Sequence, residues 1–250
     1  MDRFRLAVQR FRRGFGGIAT GRSLDDTIRA NANRLRKSGA PFGLPISHIN
    51  RAGMSMPLFD LAPDAIESLL SDWVKTEGRT WHSLDDFLGI GDWSSILRSP
   101  WQRSILKEAR QLHKAQLVYQ TIPAYEHLCT LAESGKPVSR QQVILTNRIQ
   151  INAYFERFVA LFRSIEREGF WRVPSPGDRQ LGVAITAEGR FARLQGGQHR
   201  WAIIMTLGKP TIPVELRMLH IDAWEAAGSV DACIAKAMEL RRIVEPSPPE

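Results

Sequence analysis

Past residue 138 the apolar positions fall into two rhythms that exchange several times. In residues 153–168, Phe155, Phe158, Val159, Phe162 and Ile165 recur at helical spacing, and Gly169 ends the run. On either side the period shortens. Residues 142–145 are β-like, and Gly182-Val183-Ala184-Ile185-Thr186 reads as a strand. Ala187-Glu188-Gly189 supplies a turn into a returning strand, Phe191-Ala192-Arg193-Leu194. Helical spacing resumes over 198–207 until Gly208. A strand follows at Ile212-Pro213-Val214-Glu215-Leu216, then an amphipathic helix over about 229–242. The pattern predicts an α/β (α+β) domain over 138–243, a small mixed sheet with helices and a strand–glycine-turn–helix joint at its centre.

Upstream the pattern predicts a mostly helical N-terminal region over 23–137. Ser23-Leu24-Asp25-Asp26 has the spacing of a helix cap, for a helix to about residue 37. Residues 39–57 hold Pro41, Gly43, Pro45, Gly53 and Pro57 and read as an extended loop. Over 63–76, Ile66, Leu69, Leu70 and Trp73 share one face of a helix. Ser99-Pro100 opens a helix over about 100–118, and another over 123–134 stops at Gly135-Lys136-Pro137. The flanks are a basic arm at 1–22 and a Pro-rich tail at 244–250 that reads as disordered.

Composition narrows the class. The chain is 43% hydrophobic and 24% charged, the balance of a folded rather than a disordered protein. No apolar stretch reaches membrane-spanning length, and the N-terminus lacks an apolar secretory core. Cys129 and Cys233 are isolated, which suits buried reduced thiols in a cytoplasmic protein. The six histidines have no metal-ligand spacing, so no site made of protein ligands alone is expected. Gly89-Ile90-Gly91 lacks the third glycine of a dinucleotide loop and reads as a turn. Trp73, Trp81, Trp93 and Trp101 read first as core and second as a stacking platform.

The net charge of +8 is concentrated. Residues 1–37 hold ten Lys/Arg against three acids, a net +7. Phe4, Leu6, Val8 and Phe11 alternate with arginines there. Three readings stay open for this arm: a solvated start, an anionic membrane surface at its inner face, or nucleic acid.

The joint carries the chemistry. In Gly196-Gly197-Gln198-His199-Arg200, paired glycines let the backbone turn sharply and approach a ligand closely. The first turn of the following helix presents N–H groups and a positive dipole end, which favour a phosphate-like anion. Arg200 adds a planar fork of donors, and His199 offers a hydrogen bond or a proton near neutrality.

The wider segment, Leu194-Gln195-Gly196-Gly197-Gln198-His199-Arg200-Trp201-Ala202 with Leu207-Gly208 and Ile212-Pro213-Val214, resembles the ParB/sulfiredoxin superfamily. The preceding helix, with Ser164-Ile165 near its end and Gly169 after it, fits the same pattern; together these cover about 80 residues. The resemblance implies a nucleotide (ATP, ADP or CTP) with Mg²⁺, its phosphates held by Gly196, Gly197, Gln198, His199 and Arg200. Members of that superfamily include phosphotransferases and nucleotide hydrolases, so the resemblance implies a phosphotransferase (kinase) or nucleotide hydrolase acting on a small molecule or glycan. Gln198 departs from it, standing where sulfiredoxins carry the catalytic cysteine and partition proteins a glutamate, and an amide cannot act as a general base. Too few residues follow the Ile-Pro-Val strand for a helix-turn-helix and a dimerisation domain. Phosphoryl transfer would also need a carboxylate, for which Glu166, Glu168, Asp178 and Glu188 are candidates. His199 and Glu188 stand as the catalytic pair, with Arg148 as a further phosphate ligand. The alternatives are a non-catalytic binding or regulatory protein, or a nucleic-acid binder working through the arm.

Overall fold

The structure is a computed structural model and describes residues 23–38, 40–70, 73–76, 79–82, 86–98, 103–140, 143–169, 181–194 and 196–240. In chain order its elements begin with α1 (Leu24–Ser38), β1 (Phe42–Pro45), α2 (Ile46–Arg51), β2 (Leu58–Leu61) and β3 (Ile66–Leu70). Next come β4 (Trp73–Thr76), β5 (Arg79–His82), β6 (Asp86–Gly89), β7 (Leu97–Arg98), α3 (Arg103–Lys114) and α4 (Pro123–Glu133). They continue with β8 (Val138–Arg140), β9 (Val143–Leu145), α5 (Arg148–Glu168), β10 (Leu181–Ile185), β11 (Phe191–Arg193) and α6 (Gln198–Thr206). The chain closes with β12 (Ile212–His220), α7 (Ile221–Ala227) and α8 (Val230–Leu240). The protein is mixed α/β and divides into two compact units, each discontinuous in sequence. The first comprises residues 1–100, 174–196 and 211–250, and the second 101–173 and 197–210.

The first unit is built on an eight-stranded mixed sheet, in the order β1-β6-β12-β10-β11-β3-β7 with β2 also on β12. β12 organises it. Its nine residues are buried throughout or at alternate positions, as a strand flanked on both edges requires. One edge pairs in parallel with β10. The other is shared: β2 runs antiparallel along Ile212–Glu215, and β6 runs parallel at Leu219 and His220. Phe42, Leu70, Trp93, Ile96, Ala184, Ala192, Leu194 and Met218 form a core cluster on this frame. α1 opens as its sequence predicts: the Asp26 N–H donates to Ser23 Oγ at 3.1 Å, and the Ser23 N–H donates to Asp26 at 3.3 Å.

The expected mostly helical region is corrected here. Residues 63–76, read as one helix, form a short 3₁₀ turn at Pro63–Ala65 and the strands β3 and β4. Ile66, Leu69 and Leu70 have helical spacing, but they are buried in a strand paired in parallel with β11, more than a hundred residues downstream. Tertiary pairing overrides a local period of that length. The expected loop at 39–57 contains β1 and α2. Strand β12 runs four residues beyond the expected end at Leu216, and α7 precedes the last expected helix. The basic arm up to residue 22 and the tail lie outside the described residues.

The second unit is largely helical, with α3, α4, α5 and α6 and the β8–β9 hairpin. α4 begins at Pro123 and ends before Gly135 at φ +70°, as read from the sequence. α5 begins five residues earlier than its apolar stripe suggests. Asn147 caps it by accepting from the Gln150 N–H at 3.0 Å, while Gln150 Oε1 accepts from the Thr146 N–H at 2.7 Å. Tyr154, Phe155, Phe158 and Phe162 are almost fully buried along this helix. Among the described residues no helix is long and apolar enough to cross a membrane, and neither buried cysteine is in a disulfide.

Candidate functional site

Gly196 closes its segment of the first unit, and Gly197 opens α6 in the second. Both have the left-handed backbone that favours glycine, with φ +108° at Gly196 and φ +64°, ψ 13° at Gly197. A Cβ built on Gly196 would meet nothing within 4 Å, so glycine is called for there by conformation and not by space. Gly197 is the N-cap of α6, and the helix starts as the Trp201 N–H donates to its carbonyl at 2.9 Å. Gln198, His199 and Arg200 therefore occupy the first three helical positions. No acidic residue stands in that first turn, so the positive end of the helix meets no carboxylate of its own. Within the first unit, the fully buried Arg193 donates to the Gly196 carbonyl at 3.4 Å.

Within the second unit His199 ends a buried chain of polar groups. Arg140, on β8, donates to Glu108 Oε1 at 3.0 Å. Tyr154, on α5, donates its hydroxyl proton to Glu108 Oε2 at 2.6 Å. The same hydroxyl oxygen lies 3.0 Å from His199 Nε2. Phe158 meets the imidazole edge-on, with ring centroids 4.7 Å apart. Glu108 on α3, Tyr154 and His199 are 4%, 0% and 8% exposed. Burial, and secondarily the positive charge of Arg140, push the His199 imidazole down to about pKa 4. Burial and then the Glu108 carboxylate raise the Tyr154 phenol well above its ordinary value. His199 is thus a neutral, hydrogen-bonded ring at neutral pH.

The other expected site residues have partners of their own. Arg148 is the first residue of α5 and donates to Glu133 at 2.9 Å in an exposed ion pair. Glu188 belongs to the first unit, in the β10–β11 turn. A hydrogen bond from Thr186 and then backbone hydrogen bonding hold its carboxyl below the usual carboxylate range. Glu166 is exposed on α5, and Asp178 lies outside the described residues, as does the side chain of Glu168. Trp93 is buried against Phe42 and His220, while the side chains of Trp73, Trp81 and Trp101 lie outside the described residues. Among the described residues no group of three or more His, Cys, Asp or Glu is placed to hold a metal.

Glu108, Arg140 and Tyr154 are not among the residues expected at the site from sequence. Tyr154 lies 45 residues from His199 and 46 from Glu108, so no local spacing relates them. The available hint was a tyrosine within a phenylalanine-rich helical stripe, where a buried hydroxyl demands a partner. Comparison with known protein families, with curated proteins and with solved structures finds no match to the chain.

Proposed function

We propose that the first turn of α6 binds the phosphate groups of a nucleotide, in the manner of the ParB/sulfiredoxin-like domains that the segment resembles, with Mg²⁺ arriving on the phosphates. The observation that carries this reading is the pair of left-handed glycines leading into a helix without an acid in its first turn. Gly196, Gly197 and Gln198 contribute backbone, and Arg200 contributes a guanidinium at the third helical position. The test is calorimetric titration of ATP, ADP and CTP, each with Mg²⁺, into the wild type and Arg200→Ala. One of them binds the wild type, and the variant loses at least about tenfold in affinity, the usual worth of a charged hydrogen bond. No binding of any of the three to the wild type defeats the reading.

Within that reading, binding without turnover is favoured over phosphoryl transfer or hydrolysis. Gln198 is an amide that does not titrate, and His199 is neutral and bonded to Tyr154. Nucleotide turnover that disappears in Arg200→Ala would overturn this preference and restore the enzymatic reading. The basic arm offers a separate route to an anionic membrane or nucleic acid. Part of the positive charge of residues 1–37 is already engaged: Arg36, on α1, pairs with Asp222 at 3.1 Å and Glu225 at 2.7 Å.

A further inference from the structure

Proton bookkeeping along the buried chain fixes one hydrogen-bond direction at each link. An ionised carboxylate only accepts, so Glu108 takes a proton contact from Arg140 on one oxygen and from Tyr154 on the other. The Tyr154 hydroxyl proton is thereby committed to Glu108. Its oxygen then faces His199 Nε2 as an acceptor, and His199 must donate from Nε2. The imidazole is held in one tautomer and one orientation. The four residues come from β8, α3, α5 and α6, all within the second unit. They end at the second helical position of α6, two residues after the glycine N-cap.

Packing alone does not call for such a chain. A buried Arg–Glu pair bears a desolvation penalty that apolar residues of the same volume would avoid. What the chain adds is direction, because bonds of 2.6–3.0 Å tolerate little angular freedom whereas aromatic packing tolerates more. An anion site made of backbone N–H groups depends on such aim, since its donors cannot adjust as side chains do. We propose that Tyr154 and Glu108 are positioning residues for the phosphate-binding turn: through His199 they hold the first turn of α6 in its receiving orientation. The proposal rests on the phosphate-binding reading given above.

The experiment uses the full chain and inorganic pyrophosphate, which carries the phosphate chemistry that nucleotides share. Affinity and thermal midpoint are measured for the wild type, Tyr154→Phe and Phe162→Leu, and the His199 tautomer is read by ¹⁵N NMR. Phe162 is fully buried on the same helix and stacks on His113, so it reports on packing alone. In Tyr154→Phe the pyrophosphate Kd rises about tenfold, the scale of one lost hydrogen bond, and His199 leaves its single Nε2–H tautomer. In Phe162→Leu the midpoint falls while Kd and tautomer stay as in the wild type. If the wild type binds and Tyr154→Phe binds equally well, the positioning role is overturned while the phosphate reading stands. If Phe162→Leu weakens binding as much as Tyr154→Phe, the effect is packing and the proposal is again overturned. If the wild type does not bind pyrophosphate, the phosphate reading falls and takes this proposal with it.

Discussion

Acidification should destabilise this protein through His199 between about pH 6.5 and about pH 4. In the unfolded chain the imidazole takes up a proton near pH 6.5, whereas in the folded protein burial delays uptake to about pH 4. Between those values the unfolded state binds more protons, so stability falls as pH falls. Above the upper value both states are neutral and His199 contributes no pH dependence. A difference of this size is worth about 3 kcal/mol once the lower value is passed, and about 2.5 kcal/mol at pH 4.5. That is a large part of the stability of an ordinary domain.

His199→Gln isolates the effect. Its amide nitrogen donates from about the position of Nε2 and never titrates. The variant starts less stable, having lost the ring that packs on Phe158 and Tyr154. Urea unfolding between pH 7.5 and 4.5, followed by tryptophan fluorescence, reports through the buried Trp201 of α6 among others. Carboxylates that lose ion pairs on acidification do so in both chains and cancel in the difference. The wild type should lose about 2.5 kcal/mol more than the variant over that range. Parallel losses would mean that His199 is hydrated and titrates normally, and the buried chain as described would be wrong.

Two predictions concern the first unit. Asp25 Oδ1 accepts from Trp224 Nε1 at 2.7 Å and from the Val230 N–H at the start of α8 at 2.9 Å, so Asp25→Ala should cost about 2 kcal/mol in urea unfolding. A Cβ on Gly89 would meet Trp93 Cζ2 at 2.2 Å, so Gly89→Ala should cost about 1–3 kcal/mol and alter the near-ultraviolet circular dichroism, through displacement of the buried indole.

What could be read from the sequence follows from which forces act locally. The Ser23–Asp26 cap, Pro123 at the start of α4, and the turn at Gly189 each depend on neighbours within four residues, and each is present in the structure. The glycine joint and α6 belong to the same class, since φ above zero at Gly196 and Gly197 is a property of the chain itself. The misread segment, Ile66–Leu70, has apolar spacing that either a helix or a strand can use, and β11 decides between them. The Asn147 cap of α5 has a local signature in Gln150 three residues on, but the apolar stripe that marks the helix begins only further along. The polar chain from Arg140 to His199 could not be read. Tyr154 hints at a partner from within its phenylalanine-rich stripe, but nothing local names Glu108, Arg140 or His199, which only β8, α3, α5 and α6 bring together.

This chain also bears on how phosphate binding should respond to pH. A phosphoryl-transfer site that works by general acid–base catalysis needs a group that exchanges a proton near neutrality. In the second unit the groups at the joint do not meet that need: Gln198 is an amide, His199 stays neutral above about pH 4, and the Tyr154 phenol is raised above its ordinary range. Guanidinium groups remain charged throughout. With these groups the proposed phosphate-binding turn keeps one charge state between pH 5 and 9, and the pH dependence of any binding should belong to the ligand alone. A phosphate monoester has its second ionisation near pH 6, so its affinity should rise through about pH 6 and then level off. Calorimetric Kd values for such a probe across pH 5–9 would follow that single curve. A further inflection between pH 7 and 9, absent from the ligand's own titration, would reveal a protein group changing protonation at the site and would return His199 or an unrecognised carboxylate to the catalytic role.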